Sequence, residues 1–238
     1  MSNKFEEVAR WGANWLGHEA WQSHTVDENT AGQLVAGYVR FLDKIADINL
    51  RQGSAAGPAI DIGCGAGFIA RAFNRRGISV SASEYDAPTV DFARSMQPDI
   101  EISQCDISTF LEPDRYGLIF TREVYLFTRV GDFEPQARIL SNLIESLAPG
   151  GVLLLSASDR AKPACLDFPR AIAHFRKDAR VASVTGCYLE PVFKHFGRFI
   201  FGPTSYRMIV LLLAPYIALQ KIRGKWAPSL LVAFVRAK

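Results

Sequence analysis

Three glycines at alternate positions, Gly63, Gly65 and Gly67, follow the apolar tetrapeptide Ala59–Ile62 and precede a helical pattern that starts at Phe68. A turn this dense in glycine is needed where the backbone must take up left-handed conformations or let another group approach closely. Set between a buried strand and a helix, it predicts a βα unit. The first N–H groups of that helix then face the turn without intrahelical partners. In open α/β sheets, ligands bind beyond the carboxyl ends of the strands, where such a turn lies.

The rest of the chain extends this unit into a series. Apolar residues recur at spacings of three and four over residues 1–50, at Phe5, Val8, Trp11 and Trp15 and again at Leu34, Val35, Tyr38, Phe41, Leu42 and Ile45. Arg51–Gly57 is a small-residue linker. Strands are predicted at Ala59–Ile62, Ile78–Glu84, Ile100–Cys105, Tyr116–Thr121 and Val152–Ala157. Helices are predicted at Phe68–Arg76, after an Asp86 N-cap with Pro88 in the first turn, and at Asp132–Leu147. Alternation at these lengths implies right-handed crossovers and a doubly wound, mostly parallel sheet. The tail predicts helices near Leu166–Asp178 and Tyr188–Phe196, a strand near Phe199–Gly202, an apolar helix near Ser205–Arg223 and a last strand Leu230–Arg236. With 238 residues, 49% of them hydrophobic, the chain suits one sizeable domain better than two.

The spacing of the glycines separates ligand classes. A dinucleotide turn reads Gly-x-Gly-x-x-Gly, and here Phe68 stands where its third glycine belongs. Asp61, two residues ahead of Gly63, is unfavourable beside a pyrophosphate. It suits a ligand with an ammonium and a sulfonium centre. Glu84 ends the second strand, 21 residues after Gly63, where a carboxylate can accept from both ribose hydroxyls. Tyr85 can lie against an adenine face. Asp106 can accept from an adenine amino group while the N–H of Ile107 faces a ring nitrogen.

The set Asp61-x-Gly63-x-Gly65-x-Gly67, Glu84, Cys105-Asp106 and Leu147-Ala-Pro-Gly-Gly151 resembles the class I S-adenosylmethionine-dependent methyltransferases over roughly residues 58–157. The resemblance implies an α/β Rossmann-like fold with a seven-stranded sheet and a reversed last strand. It also implies an N-terminal helical lid over residues 1–50 and a class I domain over 51–238, with a helical insertion before the last strand. S-adenosylmethionine is the implied cofactor, with S-adenosylhomocysteine as product. Asp61, Gly63, Cys64, Gly65 and Gly67 would face its methionine part, Glu84 and Tyr85 the nucleoside, Asp106 and Ile107 the adenine. Thr121 and Arg122 would lie near the transferred methyl.

The acceptor is less legible. After the fourth strand the chain reads Thr121-Arg-Glu-Val-Tyr125, without the Asn/Asp-Pro-Pro-Tyr/Phe motif of amino-methylating nucleic-acid enzymes or the Pro-Cys nucleophile of cytosine methylation. The net charge is only +3 and the basic residues form no contiguous block, so no nucleic-acid partner is expected. Glu123 is the candidate proton acceptor at the strand end, against the alternative of a rim salt bridge. His24, in a lid rich in tryptophan (Trp11, Trp15, Trp21), is a second candidate base. The expected reaction is methyl transfer to a small-molecule oxygen or nitrogen acceptor, lipophilic if the tail helix faces it. A non-catalytic S-adenosylmethionine-binding protein and a nicotinamide-dependent oxidoreductase are the alternatives.

Met208–Leu219 is twelve residues without a charge, interrupted by Pro215. It is too short to span a bilayer, which needs about 20 apolar residues. Lys194, Arg198, Arg207, Lys221, Arg223 and Lys225 flank it. A buried helix, a homodimer contact and a helix lying at a membrane surface all remain open for 205–223. The four cysteines (64, 105, 165 and 187) form no metal-binding spacing. With no apolar signal segment at the N-terminus, the chain is read as cytoplasmic, or membrane-peripheral if the tail helix meets lipid.

Overall fold

The computed structural model describes residues 28–49, 57–128, 130–158, 166–188, 199–223 and 229–237. The first element, α1 (Glu28–Phe41), buries Ala31, Val35, Tyr38 and Phe41 on one side and passes into a π-helical turn, Leu42–Ala46. The strand–helix series follows: β1 (Ala59–Ile62), α2 (Phe68–Asn74), β2 (Val80–Glu84), α3 (Ala87–Met96), β3 (Ile102–Gln104) and β4 (Tyr116–Arg122). Then come α4 (Tyr125–Thr128), α5 (Phe133–Glu145), β5 (Leu147–Ser158), α6 (Phe168–Phe175), β6 (Val181–Tyr188), α7 (Pro203–Arg223) and β7 (Ser229–Arg236).

The seven strands form one sheet in the order β3-β2-β1-β4-β5-β7-β6. Strands β1 to β5 pair in parallel, and β7 runs antiparallel to both β5 and β6. This is the doubly wound, Rossmann-like sheet with a reversed last strand. The strand order changes direction between β1 and β4, which opens a crevice at their carboxyl ends.

Pleating divides the core in two. Ala59, Ala82, Leu118, Phe120 and Leu154 face α1 and α2, whereas Ile60, Ile62, Ile119, Leu153 and Leu155 face α5 and α6. On the first face the rings of Tyr38 and Phe73 lie 5.0 and 5.5 Å from that of Phe120, which locks α1 and α2 onto the sheet. The predicted caps form: Asp86 accepts from the Thr89 N–H at 3.0 Å and Asp132 opens α5. The predicted turn Ala148-Pro-Gly-Gly151 lies within β5, where the register with β4 shifts between Tyr116 and Leu118. A Cβ on Gly151 would lie 2.7 Å from the Tyr116 carbonyl oxygen, so only glycine lets the strands approach there.

The tail departs from the sequence reading. Phe199–Gly202 is not a strand. Ile200 is buried while Phe199 and Phe201 are exposed, so alternating burial arises in a connector that joins no strand of the sheet. The sixth strand is Val181–Tyr188, which the sequence reading passed over. It is an edge strand, paired to β7 alone; Ala182, Ser183 and Gly186 are exposed and Val184 is buried. Edges need little apolar surface, so the periodic signal is weak. Tyr188 closes this strand rather than opening a helix, and 189–198 lie outside the described residues. The helical insertion before the last strand is α7.

Candidate functional site

The glycine turn sits at the carboxyl end of β1 with all three glycines at positive φ: +78° at Gly63, +56° at Gly65 and +75° at Gly67. The neighbouring strand holds it. The N–H groups of Gly63 and Cys64 donate to the Ser83 carbonyl at 2.8 and 3.0 Å. The Gly65 N–H donates to Glu84 Oε2 at 3.0 Å, and the Tyr85 N–H to Glu84 Oε1 at 2.7 Å. Glu84 therefore organises the turn from β2 while keeping further lone pairs on both oxygens.

Alternation along the strands places Asp61, Glu84, Arg122 and Ser156 on the face that α1 covers, with Arg122 and Ser156 opposite each other in register. Asp61 is 1% exposed and its Oδ2 has no hydrogen-bond partner. Burial pushes its carboxyl up to about 8; the nearby Glu84 adds to the rise and Arg122 opposes it. Burial also raises Glu84, against the two N–H donors that favour its charge. The Cys64 thiol is driven well above its ordinary value by burial, with Asp61 and Glu84 adding to it, so it stays protonated and unreactive.

Several polar atoms collect here without partners. Besides Asp61 Oδ2, the hydroxyls of Tyr38 and Ser156 on this face are buried without hydrogen-bond partners, as are those of Ser83 and Thr121 at the same strand ends on the opposite face, level with Ile62. Tyr38 lies against Arg122 and Ser156 without closing a hydrogen bond to either, and burial raises its phenol. Buried polar groups are rarely left unpaired, and a cluster of them along one strand edge marks a place where a polar ligand supplies partners.

The other predicted residues fall around this edge. Tyr85 is exposed beyond β2. Asp106 follows β3 and its Oδ1 accepts from the Ser108 N–H at 2.8 Å, which stiffens the turn that carries buried Ile107. Thr121 is fully buried and Arg122 half-buried at the end of β4. Glu123 holds a left-handed φ of +51° and its N–H donates to the Ser156 carbonyl at 2.8 Å, so the chain turns sharply away from the sheet there. His24 lies outside the described residues. Tyr38 and Ser156 were not singled out in the sequence. The available signals were a phenol on an otherwise apolar helix face and one hydroxyl ending the run Val152–Leu155. Among the described residues no three His, Cys, Asp or Glu side chains are grouped to hold a metal ion.

Comparison with known proteins agrees with this geometry. A family model described as a methyltransferase domain matches residues 59–151. Trans-aconitate 2-methyltransferase of Rhizobium meliloti (strain 1021) is 28% identical over 106 residues, 44% of this chain and 39% of that protein. The chain thus aligns with well under half of that relative. Phosphoethanolamine N-methyltransferase 2 of Haemonchus contortus, solved with S-adenosyl-L-methionine, superposes with a TM-score of 0.54 at 17% identity, over 79% of this chain and 53% of that one. The plantazolicin methyltransferase BpumL, solved with S-adenosylhomocysteine, superposes with a TM-score of 0.53 at 12% identity, over 100% of this chain and 91% of that one. At these identities the structural matches speak for the fold.

Proposed function

We propose that residues 59–151, which match a methyltransferase domain, are a class I, S-adenosylmethionine-dependent domain, and that the chain transfers the methyl group of S-adenosylmethionine to an oxygen or nitrogen of a small, lipophilic acceptor. The observation that carries this reading is Asp61: an almost wholly buried carboxyl with one oxygen unpartnered, beside a turn rich in positive-φ glycine. A carboxyl so placed gains from a cationic ligand and would repel a pyrophosphate. The residues present therefore fit S-adenosylmethionine, which supplies a methyl carbon activated by the adjoining sulfonium.

In this reading Asp61 and the backbone of Gly63 to Gly67 hold the methionine part. Glu84 accepts from the ribose hydroxyls with the lone pairs its two backbone donors leave free. Tyr85 covers the adenine, and Asp106 with the Ile107 N–H meets its edge. Thr121 and Arg122 border the space for the acceptor. Glu123, where the chain leaves β4, takes the acceptor's proton on its carboxylate; His24 is the second candidate for that task. Alignment of the acceptor and exclusion of water contribute most of the rate in such a displacement, so a strong base is not required. Trans-aconitate and phosphoethanolamine, in the names of the matched proteins, support a small acceptor. The apolar insertion α7 supports a lipophilic one. It leaves the sheet after β6 and returns at Ser229, opposite Ser158 at the carboxyl end of β5, which is the edge that carries the glycine turn.

Calorimetric titration with S-adenosylhomocysteine tests the assignment. Glu84→Ala and Asp106→Ala are each expected to lose about 1.5–3 kcal/mol of binding, the worth of a charged hydrogen bond. Affinities that stay within about twofold of the parent (under roughly 0.4 kcal/mol), or tighter binding of NAD than of S-adenosylhomocysteine, would overturn it.

A further inference from the structure

Helix α7 is apolar on both sides, and the protein uses one of them. Tyr206, Ile209, Val210 and Leu213 pack onto the core beside α1. On the opposite side Met208, Leu211 and Leu212 are bare at 61, 72 and 79% exposure, continued by Tyr216 further along the helix and by Phe201, at 78%, before it. The spacing 208, 211, 212 and 216 is that of one helical stripe. A contiguous apolar stripe on an exposed helix marks an interaction surface rather than ordinary scatter of apolar residues.

The charge around this stripe points to its occupant. After Glu190 the chain contains no Asp or Glu, while Lys194, Arg198, Arg207, Lys221, Arg223, Lys225, Arg236 and Lys238 all follow. Of these, Arg236 is tied to Asp114, and Arg207 is exposed on the helix that carries the stripe. The small net charge of the chain therefore conceals a uniformly basic last segment and an acidic remainder. Two copies meeting face to face through α7 would bring these basic segments together. An anionic lipid surface complements both the charge and the apolar stripe. No helix among the described residues is long and apolar enough to cross a membrane. Pro215 also has no N–H to give the Leu211 carbonyl one turn earlier, which favours the hydrated boundary over the hydrocarbon interior.

We propose that the bare face of α7, centred on Leu211 and Leu212 with Arg207 at its edge, docks the protein on the surface of an anionic membrane. This stands apart from the methyl-transfer reading, since it requires no cofactor. The full chain is sedimented with phosphatidylcholine vesicles made with and without phosphatidylserine. The wild type is expected to pellet with the anionic vesicles and to be released by raised salt. Leu211→Glu/Leu212→Glu is expected to weaken this at least about tenfold, and Arg207→Glu to weaken it on anionic vesicles. All three positions are exposed, so unchanged far-ultraviolet circular dichroism shows that the fold is retained. Three results would overturn the proposal: no binding by the wild type, equal binding by Leu211→Glu/Leu212→Glu, or a solution dimer that this variant splits while vesicles are ignored. The last result would make the face a contact between copies.

Discussion

A methyl group added at Gly63 would lie 2.6 Å from Val124 Cγ2 and would have to keep φ at +78°. The two penalties are separable. A left-handed conformation costs an alanine roughly 1–2 kcal/mol, and the contact adds an overpacking cost of about 1 kcal/mol or more. Gly63→Ala is therefore expected to lower unfolding stability by about 2–3 kcal/mol in urea titration and to weaken S-adenosylhomocysteine binding. Adding Val124→Ala removes the contact but leaves the conformational strain, so about half of the loss should return. Full recovery would mean that the turn tolerates an alanine at positive φ; no recovery would mean that Val124 is not the obstacle. Gly65 differs: its N–H is the group that Glu84 holds at 3.0 Å, so its value lies in the donor it presents as well as in its φ of +56°.

Gln136 connects elements in a way its sequence position does not reveal. It is 1% exposed on α5, and its Nε2 donates to the Leu126 carbonyl of α4 at 2.9 Å and to the Val130 carbonyl. One amide thus pins the segment that follows β4, the segment carrying Glu123. Gln136→Leu keeps the volume and strands two buried acceptors, at an expected cost of about 1–3 kcal/mol. Amide exchange should quicken over residues 123–130 and remain slow in β1; uniform quickening would show a global loss instead. The elements around the site were legible because their signals are local. Three glycines, the Asp86 cap and the apolar period of α5 each read within a few residues. What was not legible depends on partners distant in sequence. Strand β6 exists because β7 pairs with it, although its own apolar content is slight. Tyr38 reads as core, and becomes part of the site because β1, β4 and β5 bring Asp61, Arg122 and Ser156 beneath it. The outer half of α7 has no assigned partner from hydropathy alone, and is bare because only its inner half packs onto the core.

The buried carboxyls at the turn make the stability of the whole molecule depend on pH and on ligand together. Asp61 is pushed up to about 8 from an ordinary 3.8, so between those values the folded chain holds a proton that the unfolded chain has released. The unfolded state then binds fewer protons, and unfolding free energy falls as pH rises through this window, by at most about 1.4 kcal/mol per pH unit. Glu84, also raised, acts with the same sign. Asp178, lowered chiefly by its hydrogen bond to Arg180, acts the other way, with stability lost only as pH falls below the ordinary carboxylate range. Urea titrations of the ligand-free protein should therefore show stability declining from about pH 5 to pH 8, and Asp61→Asn should flatten that decline. A ligand that carries an ammonium beside Asp61 favours the charged carboxylate. Its binding should release a proton near pH 7, seen as a calorimetric heat that depends on the buffer's ionisation enthalpy. S-adenosylhomocysteine affinity should accordingly rise toward pH 8, and at saturation the ligand should add more stability at pH 8 than at pH 6. Parallel stability curves with and without ligand would mean that the proton on Asp61 is not displaced, and that the methionine part of the cofactor is held elsewhere.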